Sequence, residues 1–281
     1  MNIISLVLKN GSQYLKNNCI KNYQLDAELI LGKVLNKSRE YLLINDNKVL
    51  NEDEVKSYHN LLDRRKKNEP IAYITNEKEF WKSKFYIDKN VLIPRPDSEI
   101  LLEKVLMYYK NKKNVSVLDI GTGSGCLIIS LMKEKQKFKG TAIDISKKAL
   151  KTAEYNAKIH QLDHRIKFYK TSVDNFFKGK YDLIISNPPY INSLKLKYLD
   201  EDVHKFEPTQ ALEGGLDGFK IFRKILRKSS LLLKKGGKLV LEFGFDQKFE
   251  IIKLIKQEKY FINDIFKDYA KNDRCIICTK L

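Results

Sequence analysis

The 281-residue chain has no apolar run long enough to span a membrane. Its first residues, Met1 to Lys16, lack the compact apolar stretch and small-residue cleavage site of a secretory signal. Cysteine is scarce: Cys19, Cys126, Cys275 and Cys278 are scattered, which excludes a disulfide-stapled scaffold and makes the cytoplasm the expected compartment. Cys275-Ile276-Ile277-Cys278 has redox or metal spacing, but no second cysteine pair and no histidine lies nearby. It falls in an apolar run that reads as the last strand, so a structural role is expected. The four histidines (His59, His160, His164, His204) form no ligand pattern, and no metal is assigned. Internal repeats, low-complexity tracts and any recognisable RNA- or DNA-binding module are also missing.

Hydrophobic residues make up 43% of the chain and aromatics 11%, enough for a real core. The length suits one large or two modest domains. The net charge of +18 is mostly lysine spread along the sequence and accompanied by abundant Asn, Ile and Tyr. Those residues share A/T-rich codons, so genome bias and an anionic partner both remain open as its origin. Lys133-Glu134-Lys135-Gln136-Lys137 and Lys234-Lys235 read as solvated helix ends and turns.

Residues 1–70 carry helical periodicity. Leu25, Leu29, Ile30, Val34 and Leu35 mark one apolar face, continued by Leu42, Leu43, Leu50, Val55, Leu61 and Leu62. Polar breaks at Asn17-Asn18, Asn36-Lys37-Ser38 and Asn45-Asp46-Asn47 divide the region into short helices, a small bundle without identifiable chemistry. Binding or orienting a partner is its expected role. Residues 71–93 read as an aromatic β-hairpin linker built from Ile71-Ala72-Tyr73-Ile74, Glu79-Phe80-Trp81 and Phe85-Tyr86-Ile87. From residue 94 to 281 a second domain follows: Pro94-Arg95-Pro96 is stiff and extended, Ser98-Glu99 opens a helix through Lys110, and strands then alternate with helices. That alternation predicts an α/β domain on a mostly parallel sheet. Lys238–Glu242, Phe261–Phe266 and Arg274–Thr279 are expected as its late strands.

Two motifs carry chemistry. Tyr181–Ile185 reads as a buried strand that runs into Ser186-Asn187-Pro188-Pro189-Tyr190. Proline after Asn187 keeps that residue out of helix, and the second proline extends the stiffness. Neither proline has an N–H, so the loop offers carbonyl acceptors with few local donors, beside the Asn187 oxygen and the flat face of Tyr190. Such a rim suits a planar group bearing NH2, either an amide or the exocyclic amine of a base. The second motif, Asp119-Ile120-Gly121-Thr122-Gly123-Ser124-Gly125, joins the strand Val115–Leu118 to a helix beginning at Cys126. Its glycines let a ligand approach the backbone. Asp144 ends the next strand about 20 residues on, where an acidic side chain grips a ribose diol.

The glycine spacing resembles the first motif of class I S-adenosylmethionine (SAM) methyltransferases. Nearly end to end, the chain resembles the HemK-type (PrmC) methyltransferases, which act on the side-chain N5 of a glutamine in class-1 peptide chain release factors. The resemblance rests on Glu69-Pro70-Ile71-Ala72-Tyr73-Ile74, Glu79-Phe80-Trp81, Leu92–Glu99, both loops, Phe206-Glu207-Pro208, Ala211–Gly215, Lys267-Asp268 and Asp273-Arg274. Pro94-Arg95-Pro96-Asp97-Ser98-Glu99 separates it from related enzymes that methylate a ribosomal protein. The family usually has glycine where Asn76 stands and threonine where Ser98 stands; Asn tolerates left-handed backbone, and serine keeps the hydroxyl. The resemblance implies a Rossmann-like domain with a seven-stranded, mostly parallel sheet, preceded by the helical bundle.

It also implies a set of roles. SAM is the methyl donor, held by Asp119, Gly121, Thr122, Gly123, Ser124, Gly125, Asp144, Ser172, Val173 and Asn187. Asn187, Pro188 and Tyr190 carry the reaction, and Asn187, Pro188, Pro189, Tyr190 and Arg95 meet the substrate. The substrate glutamine lies in a Gly-Gly-Gln tripeptide of a release factor, with no nucleic acid or membrane required and a monomer expected. Asp144 could alternatively cap a strand end, and Asp119 could organise the glycine turn. Arg95 could line the substrate entrance or pair with Asp97 or Glu99. Glu207-Pro208 is expected to shape a loop over the pocket, and Phe80 and Trp81 to pack in the hairpin. Two other functions compete: methylation of a nucleobase amine, adenine N6 or guanine N2, for which the same rim would serve a flipped base, and a silent SAM-binding adaptor, against which both motifs are complete.

Overall fold

A computed structural model describes residues 2–281. The chain divides into two compact units, one made of residues up to Glu77 together with Asp200–Phe206, the other of Lys78–Leu199 and Glu207–Leu281.

The first unit is helical: α1 (Ile4–Asn17), α2 (Tyr23–Leu35), α3 (Arg39–Ile44), α4 (Glu52–Lys66) and α5 (Ile71–Thr75). Its helix ends follow from local chemistry. Asn36 closes α2 in a left-handed conformation (φ 51°), and the Ser38 hydroxyl accepts from Tyr41 N to start α3. Asn51 and Glu54 form a reciprocal capping box on α4, with both bonds at 2.8 Å. The core gathers Ile4, Leu15, Ile30, Leu31, Leu42, Tyr58 and Leu62. The apolar face expected on α2 is rotated: Ala27, Ile30 and Leu31 are buried while Leu25 is exposed, as is Leu43 on α3. Because α2 carries apolar residues nearly all round, periodicity alone left its inward face ambiguous. Asp26, buried, is held by Arg65 at 2.7 Å.

Ile71–Ile74, expected as a strand, is instead helix α5. The Pro70 carbonyl accepts from Tyr73 N and Ile74 N and so starts the helix, while Pro70 itself stands just before it, where its missing N–H breaks no helical bond. Asn76 ends it at φ 56°, the left-handed geometry for which glycine is the usual choice. The hairpin is β1 (Glu77–Phe80) and β2 (Ser83–Tyr86), turning at Trp81 (φ 54°). Phe80 is buried, and the Trp81 indole donates to Glu134 at 2.8 Å, so both serve the hairpin.

The second unit continues with α6 (Glu99–Tyr108), β3 (Ser116–Ile120), α7 (Cys126–Glu134), β4 (Lys139–Asp144), α8 (Lys147–Ile159), β5 (Ile166–Lys170) and β6 (Tyr181–Ser186). After α9 (Glu201–Phe206), which belongs to the first unit, come α10 (Thr209–Leu212), α11 (Lys220–Leu232), β7 (Leu233–Glu242), α12 (Lys248–Gln257), β8 (Tyr260–Lys267) and β9 (Asp273–Lys280). The seven-stranded sheet has order β5-β4-β3-β6-β7-β9-β8, parallel except for β9, which runs antiparallel to both β7 and β8. Cys275 and Cys278 are buried free thiols within β9.

Chain order reverses between β3 and β6, so the crevice outside their carboxyl ends is where such a sheet binds ligands. The Ser186 hydroxyl fastens the two strand ends there by donating to Ile120 O at 2.7 Å. Asn156 of α8 ties the hairpin to the glycine loop: it pairs with both backbone groups of Tyr86 (2.8 and 2.9 Å) and donates to Ser124 O (2.9 Å). Among the described residues no helix is long and apolar enough to cross a membrane.

Candidate active site

The glycine loop leaves β3 through two residues whose amides, Gly121 N and Thr122 N, both bond Ile143 O (2.9 and 3.1 Å). Gly121 and Gly123 hold positive φ (72° and 56°), and a Cβ at either would meet nothing within 4 Å. Gly125 is required for a different reason: at φ 80°, its Cβ would press on Ile129 Cδ1 at 2.8 Å. The loop thus keeps open space on one side and close packing on the other.

Asp119 stands at the buried base of this turn. One carboxylate oxygen accepts from Thr122 Oγ1 at 2.7 Å, while Oδ1 is buried with no partner among the described residues. Burial pushes its pKa up to about 7, against the opposing bond from Thr122. Asp144, at the end of β4, accepts from Gly123 N (3.0 Å) and Ser146 N (2.8 Å). A carboxylate has about four acceptor sites, so capacity remains after these two bonds. Burial raises the Asp144 pKa, and its backbone bonds to Ser146 and Gly123 oppose the rise. Thr171 N bonds Asp144 O at 3.0 Å, which brings Ser172 and Val173 to the neighbouring strand end. The Val173 side chain packs into the core.

Across the crevice, Asn187 follows β6. Its Nδ2 donates to Ser98 Oγ at 3.0 Å. Neither Asn187 Oδ1 nor Pro188 O accepts a hydrogen bond from the described residues. Tyr190 is held at several points. Its carbonyl accepts from Gln247 Nε2 (3.0 Å), and its hydroxyl faces Glu242 Oε1 (3.4 Å). Burial, first, and the Glu242 carboxylate raise the Tyr190 pKa far above the usual phenol range. Beyond it, Ile191 bridges to Glu213, and Gly218 (φ 81°) lies so close that a Cβ would stand 2.6 Å from Tyr190 O.

The glycine loop, Asp144, Ser172-Val173 and Asn187–Tyr190 therefore converge on adjacent strand ends. Arg95 does not join them directly. It pairs with buried Glu207, which also accepts from Ile93 N at 3.1 Å, and not with Asp97 or Glu99. Asp97 faces Arg274 (3.5 Å), and Glu99 accepts from Trp81 N (2.7 Å). Sequence reasoning missed Glu242, Gln247 and the role of Ser98. Ser98 precedes α6 yet makes no capping bond; its hydroxyl goes to Glu242 Oε2 at 2.5 Å. A lone acid at the end of a buried strand was the available signal.

Residues 7–75 match the model of the PrmC N-terminal domain, and residues 96–203 that of the methyltransferase small domain. The release factor glutamine methyltransferase of Clostridium botulinum is 38% identical over 99% of this chain and 99% of its own. The chain belongs to the release factor glutamine methyltransferase family. The chain also matches, at 35% identity, part of a longer protein, the bifunctional methyltransferase of Rickettsia bellii, over 97% of this chain but only 54% of that relative. A methyltransferase from Pyrococcus furiosus shares the fold with a TM-score of 0.53 and 22% identity, over 70% of this chain and 88% of its own.

Proposed function

We propose that the protein transfers a methyl group from SAM to the side-chain amide N5 of the Gly-Gly-Gln glutamine of class-1 release factors. The observation that carries this is the full-length likeness to a release factor glutamine methyltransferase. The match of residues 7–75 to the PrmC N-terminal domain favours a protein amide over a nucleobase amine. The site fits SAM: the free faces of Gly121 and Gly123 leave room beside the backbone, and Asp119 Oδ1 is an unused buried acceptor. Asp144 retains acceptor capacity for a ribose diol. Ser172 and Val173 flank it on the adenine side, Thr122 and Ser124 shape the loop, and Asn187 closes the reacting end.

Bound SAM supplies an electrophilic sulfonium methyl. An amide nitrogen is a poor nucleophile because its lone pair is delocalised into the carbonyl. Asn187 Oδ1 and Pro188 O, both open acceptors, take the two amide N–H bonds and fix the direction of that lone pair. Pro189 holds the loop rigid, and Tyr190 offers a face for the planar group. Alignment and desolvation can supply up to ~7–11 kcal/mol, against ~0.5–1.5 kcal/mol for an aromatic stacking contact. Positioning therefore dominates. The nitrogen becomes acidic as it gains a fourth bond, so release of its proton needs no dedicated base. Arg95, anchored by Glu207, steadies the Pro94–Asp97 segment at the substrate side.

The helical first unit orients the release factor, and the α/β unit, which takes in most of the expected 71–93 linker from Lys78 on, performs the transfer. The protein works in the cytoplasm as a monomer and requires no nucleic acid. With labelled SAM, purified unmethylated release factor and total RNA offered together, label is expected in the protein fraction. Label in RNA alone would overturn the proposal.

A further inference from the structure

Glu242 ends β7 with its side chain enclosed, 2% exposed, and the scheme above does not use it. Its two oxygens are divided between the ends of the Asn187–Tyr190 loop. Oε2 lies 2.5 Å from Ser98 Oγ, and Oε1 lies 3.4 Å from the Tyr190 hydroxyl. Ser98 Oγ in turn stands 3.0 Å from Asn187 Nδ2.

The donor count along this chain leaves one solution. An ionised carboxylate only accepts. Ser98 therefore gives its single proton to Glu242 and keeps its lone pairs for the Asn187 NH2. Asn187 must then turn Nδ2 toward Ser98 and Oδ1 away from it. Rotated by half a turn, Asn187 Oδ1 would face the Ser98 oxygen with no proton between them, a buried mismatch that costs free energy. We propose that Glu242 is a positioning residue: by fixing the direction of the Ser98 hydroxyl, it sets which way the Asn187 amide faces the substrate amide. This rests on the methyl-transfer function proposed above.

The surroundings act on the Glu242 charge in both directions. Arg274 and Cys275 of β9, Asp97 and Ser98 before α6, Tyr190, and Cys126 of α7 are the polar or titratable groups around it. Burial raises its pKa to about 7, while the Ser98 bond and the Arg274 charge oppose that rise and Asp97 adds to it. Protonated, Glu242 becomes a donor. Ser98 could then accept from it and turn its own proton toward Asn187, which favours the reversed amide. Turnover should accordingly rise as Glu242 ionises.

The test uses the full-length protein with unmethylated release factor and labelled SAM, from about pH 6 to pH 9. Glu242→Gln keeps the shape but offers a donor NH2 at one end and an acceptor oxygen at the other, so both directions of the chain become available. It should lower kcat roughly 10- to 100-fold, the scale of a misplaced reacting group, leave SAM affinity within about twofold by calorimetry, and abolish the rise in kcat through neutral pH. Ser98→Ala should lower kcat similarly and Ser98→Thr should restore it. The Glu242→Gln/Ser98→Ala double variant should be no worse than the poorer single variant, because both act through one chain. Multiplying losses, or a wild-type kcat and pH profile in Glu242→Gln, would overturn the inference. Should Glu242→Gln fail to fold, equal kcat in Ser98→Ala and Ser98→Thr would overturn it just as directly. Absence of label from the factor with the wild-type enzyme would instead overturn the proposed function, and this inference with it.

Discussion

Asn187 and Asp144 end different strands, and their loss should separate two measurable quantities. Asn187→Ala removes an acceptor for the substrate amide and should abolish turnover while leaving SAM binding largely intact. Asp144→Ala should instead raise the SAM dissociation constant by roughly 10- to 100-fold, the scale of a lost charge-assisted hydrogen bond; calorimetry with each variant checks both. Asp119 offers a different test. Its folded pKa, pushed up to about 7 by burial, stands above the unfolded carboxylate value. Between those pH values the unfolded chain has released a proton that the folded one retains, so this group erodes stability as pH rises from about 4 to about 7. Glu242, also raised to about 7, adds in the same direction. Asp119→Asn carries no such penalty. Its melting temperature relative to wild type should climb across that window and level off above it, and a constant difference from pH 4 to pH 8 would contradict the account.

At the scale of elements, the loop after β6 is held by a second loop. Ile191 N bonds Leu212 O at 3.0 Å, Gly214 N bonds Ile191 O at 2.8 Å, and Gly218 sits against the Tyr190 carbonyl. Gly218→Ala introduces a Cβ at φ 81°, 2.6 Å from Tyr190 O and 2.8 Å from Gln247 Nε2. It should cost about 1–3 kcal/mol in denaturant unfolding and lower kcat more than it weakens SAM binding. The loops that leave β3 and β6 were legible in the sequence because glycine, proline and buried strands leave strong local signals, as in Asp119–Gly125 and Asn187–Tyr190. Asn76 was legible only through the resemblance, because the family usually has glycine there and Asn tolerates the left-handed backbone found at φ 56°. The helical state of Ile71–Thr75 was not: four apolar residues beside a real hairpin carry no period, and Pro70 decided the matter. The inward face of α2 and the partner of Arg95 were also hidden, since each depends on contacts far apart in sequence. The Ser98–Glu242 bond joins residues 144 positions apart, beyond any local pattern.

For the whole molecule, the α/β unit holds every group proposed to react, and the helical unit is the one proposed to orient the release factor. The formal charge of +18 belongs to the chain as a whole. If it matters to docking, association with a release factor should weaken as salt rises while kcat at saturation stays constant; titration of KM against ionic strength would show this, and a flat KM would leave the charge without that role. The central claim is the identity of the methylated atom. Mass spectrometry of a release factor incubated with the enzyme and SAM, beside its Gln→Ala variant, tests it most directly. The account predicts one added methyl on the Gly-Gly-Gln glutamine side chain and none on the variant; a methyl elsewhere, or none on either, would contradict it.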